Sequence, residues 1–124
     1  MTAHVSPHRL ITASRVNGAS VFNLAGERIG HVEDLSIHKI SGQVMYALMS
    51  FGGFLGVGER FHPLPWSILE FAPDKDGYVV PLDKAELKAA PSLSRDDLEA
   101  FGAGESLFSE LNDYYSRYGS TPGF

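Results

Sequence analysis

Gly42-Gln43-Val44-Met45-Tyr46-Ala47-Leu48-Met49-Ser50-Phe51-Gly52-Gly53-Phe54-Leu55-Gly56-Val57-Gly58 reads as a strand apolar on both faces that runs straight into a glycine-rich loop. Side chains alternate across a strand, so Val44, Tyr46 and Leu48 point one way and Met45, Ala47, Met49 and Phe51 the other. Neither face suits water. One face is expected to fill the inside of a small barrel, and the other then needs a second element or a second chain to cover it. The pattern is that of a protein that works by making contacts. The interface candidates on this reading are Met45, Ala47, Met49 and Phe51 in the strand and Phe54, Leu55 and Val57 in the loop.

The residues before this stretch supply its pairing partner. Arg28 to His38 has the composition of a long strand, yet Val32 and Leu35 are too close to share a face under strict alternation. One extra residue near Glu33-Asp34 restores a common face, so the spacing predicts a β-bulge there, with Asp34 accepting hydrogen bonds from the amides that a bulge exposes. His38 to Gln43 is a tight connection in which Gly42 is available for a left-handed position, so the two long strands are expected to form an antiparallel hairpin. Val21-Phe22-Asn23 is a short strand ahead of a turn at Leu24 to Glu27. Asp74-Lys75-Asp76-Gly77 repeats the glycine turn chemistry between Leu69-Glu70-Phe71 and Tyr78-Val79-Val80. Pro63 and Pro65 place their segment at an edge of the sheet, and Pro65-Trp66 reads as structural, with Trp66 plugging the core.

Helical signals come late. Asp83-Lys84-Ala85-Glu86 resembles a capping box opening a short helix that Pro91 closes, and Ser94 to Asp97 is a second N-terminus. Leu107, Leu111, Tyr114, Tyr115 and Tyr118 recur at helical spacing, with Gly119 placed to end that helix and Gly102-Ala103-Gly104 as a hinge before it.

Composition narrows the function classes. A chain of 124 residues fits one domain, and a net charge of -5 with basic residues scattered along the chain argues against nucleic-acid binding. There is no cysteine, which excludes disulfides and thiolate chemistry. No run approaches the ~20 apolar residues of a membrane helix, so the chain is expected to be cytoplasmic, with no direct membrane insertion.

Gly26 to Ile37, Ser41 to Tyr46, Ser50 to Gly58 and Leu64-Pro65-Trp66, taken in this order and spacing, resemble the PRC-barrel family, named for the cytoplasmic domain of the photosynthetic reaction-centre H subunit. The resemblance covers roughly Leu10 to Pro91. It implies a mainly β fold, a small SH3-like antiparallel β-barrel of about six strands, here with an arm over 1–9, the barrel over 10–91 and a short helical extension over 92–124. The family uses this barrel for assembly and docking, not catalysis. Its members include stand-alone bacterial proteins, the reaction-centre subunit and a domain of a ribosome-maturation factor. The lack of a membrane helix ahead of the barrel tells against a reaction-centre role and the lack of an N-terminal RNA-related domain against a ribosome-maturation role, while the ending Asp113 to Gly119 resembles those of the stand-alone bacterial members, so the chain is expected to belong with them.

Chemical readings of single motifs are weak beside structural ones. The Gly52 to Gly58 loop fits no phosphate-binding pattern, and Glu33-Asp34 are adjacent residues of a strand that face opposite ways. His31 and Glu33 share a strand face and, with His38 or His62, offer a metal set, but without the tight ligand spacing of a zinc site. No nucleophile-and-base pair and no cofactor fingerprint can be assembled. The expectation is a non-enzymatic, self-associating module, a homodimer, without cofactor or metal. The alternative is an RNA- or ribosome-associated factor.

Overall fold

The computed structural model describes residues 9–51, 60–99 and 105–118. A short helix α1 (Ala13–Val16) leads into β1 (Ser20–Phe22), β2 (Arg28–Ile37), β3 (Val44–Phe51) and β4 (Arg60–Pro65). A 3-10 turn, Trp66–Ile68, joins β4 to β5 (Glu70–Ala72) and β6 (Gly77–Val79), and the helices α2 (Lys84–Ala89), α3 (Arg95–Glu99) and α4 (Glu105–Tyr115) follow.

The strands form one six-stranded sheet in the order β4-β3-β2-β1-β6-β5. The mainly β reading holds. The all-antiparallel closed barrel does not, because β1 pairs with β6 in parallel, Val21 beside Tyr78 and Phe22 beside Val79. The reason lies in strand direction. From β1 to β4 each neighbour reverses, while β6 copies β1 and β5 opposes β6. Strands β4 and β5 therefore run in the same sense, one after the other through the 3-10 turn, and among the described residues no ladder joins them.

The sheet nevertheless has to roll. Laid flat, six strands about 4.8 Å apart would hold the two edges roughly 24 Å from each other. The Trp66–Leu69 link, most of it a 3-10 turn, reaches only about 13 Å. The edges are thus drawn together around a common core of Val21, Val32, Ala47, Met49, Leu64, Val80 and Leu82, all nearly or wholly inaccessible.

Irregularities in β2 and β3 accompany this curvature. Val32 faces Met49 and Asp34 faces Leu48, which leaves Glu33 as the extra residue of the expected bulge. Leu35 then stands opposite Ala47, so Val32 and Leu35 both turn to the core side of β3. Two further shifts were not legible in the spacing. Ile29 is extra against β1, where Val21 faces Gly30 and Phe22 faces Arg28. Met45 is extra against β2, where Ser36 faces Tyr46 and Ile37 faces Val44.

Turns follow the expected sequence with one exchange of roles. Gly42 takes φ +78, as the β2–β3 hairpin requires, and His38 Nδ1 accepts from the amides of Ile40 and Ser41 at 3.3 and 3.1 Å. In the β5–β6 turn the left-handed residue is Asp76, φ +49, and not Gly77. Gly77 is needed for another reason: a Cβ there would lie 2.5 Å from the Ser20 carbonyl oxygen of β1. The β1–β2 turn is closed by Asn23, buried at 5 % exposure, whose side chain donates to Glu27 Oε1 (2.8 Å) and accepts from the Glu27 amide (2.9 Å).

Candidate functional site

The two faces of β3 meet different parts of the same chain. On the core side, Ala47 and Met49 pack with Val32 and Leu64, and both are wholly buried. On the outer side lie Tyr46, Leu48 and Ser50, with Pro65, Pro63 and Phe61 of β4 opposite them. The cover for this side comes from the C-terminal helices. Phe108 of α4 stacks on Tyr46 at 5.9 Å between ring centroids, and Arg95 of α3 sits 4.7 Å over the Phe61 ring. Leu111 and Tyr115 of α4 are fully buried in the common core.

Helix α4 is anchored at one point besides its apolar face. The capping box of α2 is formed as expected: Asp83 accepts from the Glu86 amide at 2.8 Å and Glu86 Oε1 accepts from the Asp83 amide at 3.0 Å. The same Glu86 receives two tyrosines. Tyr114 donates to its backbone carbonyl at 2.6 Å and Tyr118 to Oε2 at 2.9 Å. The first satisfies a carbonyl that the end of a short helix leaves without a partner. Burial pushes the Tyr115 and Tyr118 phenols above the ordinary tyrosine range, and the bond to Glu86 adds to the effect at Tyr118.

Where α4 stops covering β3, an open cleft of about 390 Å³ remains, lined by Gln43, Val44, Met45, Tyr46, Pro65, Trp66, Ser67 and Asn112. None of these residues carries a charge, and five are apolar. The bend at the extra residue Met45 lets three successive residues of β3 line one cleft. Trp66 is half-buried, its ring 5.5 Å from Tyr78, so it serves as a core wall with one side on the cleft. Val44 pairs across the strands with Ile37, which is 51 % exposed, and Ile40 in the hairpin between them is 90 % exposed.

The sequence-based interface set divides accordingly. Ala47 and Met49 are unavailable to a second chain, because curling of the sheet turns their face into the core; this corrects their assignment as contact residues. Met45 and Phe51 are half-buried. Phe54, Leu55 and Val57 lie outside the described residues. Pro65 is buried at the edge, and Asp34 Oδ1 accepts from the Leu35 amide at 2.8 Å beside the bulge. The cleft itself was missed by sequence reasoning; the uncharged run Gln43 to Tyr46 followed later by Pro65-Trp66-Ser67 was the available signal.

The remaining titratable groups are dispersed. His31 Nε2 lies 3.4 Å from Glu33 Oε1, and Arg95 lies 3.7 Å from Glu33 Oε2, while His38 serves its turn. His62 is buried at 3 % exposure against Phe51, its Nδ1 has no hydrogen-bond partner, and its ring bonds the Pro91 carbonyl. Burial above all holds its pKa down to about 4, and the charge of Arg60 adds to this. Among the described residues no group of three or more metal-capable side chains comes together. Among them, too, no helix is long and apolar enough to cross a membrane.

One mixed sheet rolled around a single core, with helices laid on the outer face of its third strand, places the chain among small rolled-sheet β domains. The family model for the PRC-barrel domain matches residues 8–87, and the chain belongs to that family. No curated protein matches the chain.

Proposed function

We propose that this chain is a non-enzymatic interaction module that self-associates through the uncharged cleft at the Gln43–Tyr46 end of β3. The observation that carries this reading is the cleft's make-up: apolar walls from Val44, Met45, Pro65 and Trp66 and a rim of Gln43, Ser67 and Asn112, with the exposed aliphatic residues Ile37 and Ile40 in the hairpin that Val44 ends. A concave, uncharged apolar site with exposed apolar residues close by in the chain fits a protein contact. The walls offer no charged group to a phosphate or a metal ion.

The RNA-associated alternative draws no support from the arginines. Arg28 bonds Ser20, Arg60 bonds Ser92, Arg95 meets Glu33 and Phe61, and Arg117 lies over Tyr114, each on a different element. The reading is tested by light scattering on wild-type protein and on Ile40→Asp and Met45→Asp. The wild type is expected at twice the 13.5 kDa chain mass, with both variants folded and shifted toward a single chain. A wild type that stays monomeric at high concentration, or variants that keep the wild-type mass, would overturn it.

A further inference from the structure

The outer face of β3 and β4 carries α4, and the described contacts that hold it there are of a kind that another copy of the same helix reproduces. The contacts that seat α4 are side-chain contacts: Phe108 on Tyr46, Leu111 and Tyr115 in the core, and Tyr114 and Tyr118 on Glu86. Among the described residues, no backbone hydrogen bond ties α4 to the sheet. By contrast, the segment just before α3 is laced to β4 through its backbone, with Phe61 and Leu93 exchanging bonds of 2.9 and 2.8 Å. The face and its occupant are also separable in the sequence. The family match ends at residue 87, while α4 begins at Glu105, so the face belongs to the family fold and the helix to the added segment.

We propose that the surface formed by Tyr46 of β3 and Glu86 of α2 is a helix-binding site that accepts, in trans, the α4 segment of a second copy of this chain. The recognition chemistry is specific. The partner helix has to present Phe, Leu and Tyr at the spacing of Phe108, Leu111 and Tyr115 for the apolar floor. It also has to place two tyrosine hydroxyls, at the spacing of Tyr114 and Tyr118, on the Glu86 carbonyl and carboxylate. An 11-residue helix is marginal alone in water, so the segment becomes helical on this surface rather than before reaching it. This inference rests on the self-association reading and names the segment that copies exchange.

The test is fluorescence anisotropy of a labelled peptide, residues 105–118, titrated with the full-length chain. The resident α4 competes at the high effective concentration of a tethered ligand, so the wild type binds the peptide weakly. Leu111→Ala in the full-length chain removes a buried leucine from the competitor only and is expected to tighten peptide binding at least about 30-fold. Tyr118→Phe, which keeps the apolar face, is expected to tighten it several-fold, and circular dichroism identifies any variant that has unfolded. A peptide carrying Leu111→Asp should not bind. Equal peptide affinity in the wild type and both folded variants, or no binding in any, would overturn the inference. A monomeric wild type would reject the self-association reading and the exchange of α4 with it, whereas a dimeric wild type whose peptide never binds would reject the exchange alone and leave self-association standing.

Discussion

Acid should weaken this fold through one histidine, and by an amount the structure sets. His62 is 3 % exposed on β4, with Nδ1 buried and unpartnered and the ring bonded to the Pro91 carbonyl. A proton added at Nδ1 would be buried with no acceptor, beside the positive charge of Arg60; this is why the pKa falls from 6.5 to about 4. Above pH 6.5 the ring is neutral in both states and contributes no pH dependence. Between pH 6.5 and 4 the unfolded chain takes up the proton first, so stability falls as the pH falls. Below about pH 4 both states are protonated and the loss is complete. At about 1.4 kcal/mol per pKa unit, the full loss is about 3 kcal/mol, a large part of the 5–15 kcal/mol available to a domain. Urea unfolding of wild type and His62→Gln at steps from pH 7 to pH 4 isolates this group, because every carboxylate titrates alike in both proteins. The wild type is expected to lose about 3 kcal/mol more than the variant across that window. Parallel stability curves would refute the reasoning that His62 is buried neutral.

Three further perturbations probe separate parts of the fold. Gly77→Ala drives a methyl against the Ser20 carbonyl at 2.5 Å, backbone that cannot move aside, and is expected to cost about 1–3 kcal/mol in urea unfolding; an unchanged midpoint would deny the close β1–β6 approach. Asp83→Ala removes the side-chain half of the α2 capping box and should cost about 1 kcal/mol, read as a lower melting temperature with the native spectrum intact. Deletion of Glu33 removes the extra residue that turns Val32 and Leu35 to one face, so the near-ultraviolet signature of the packed aromatic residues should be lost; its retention would show that β2 does not need the bulge.

Local chemistry was readable where one residue type has one physical use. The Val32–Leu35 spacing announced the bulge at Glu33, Gly42 announced a positive φ, and Asp83 to Glu86 announced a helix start. Long-range outcomes were not. The parallel β1–β6 pairing depends on where the β5–β6 hairpin lands, which no local pattern around Gly77 records. The candidate site was half legible for the same reason. The two apolar faces of β3 showed that something had to cover each, but whether the cover was a second chain or α4 depended on the packing of residues such as Phe108 and Tyr46, far apart in the chain. Asn23, which reads as an ordinary turn residue, is a buried clasp because Glu27 returns both of its bonds.

The two edges of the sheet bear on how a second chain can approach. On β4 the Phe61 amide and carbonyl face outward and are taken by Leu93, so by alternation the outward positions 63 and 65 are prolines, with no N–H to offer. On β5 the count is nearly as low. Val80 donates to the Phe22 carbonyl, so Tyr78 also faces β1, and Gly77 and Val79 face β5. Ala72 and Glu70 then bond β6, and Phe71 alone turns its amide and carbonyl to the edge. Leu69 before it already donates to the Trp66 carbonyl, and Pro73 after it has no donor. Strand addition at either edge is therefore limited to a bond or two, too few to hold two chains against the entropy of association. Contact through side chains is what remains for the self-association proposed above, and among the described residues the uncharged cleft at the Gln43–Tyr46 end of β3 and the exposed Ile37 and Ile40 offer apolar surface for it.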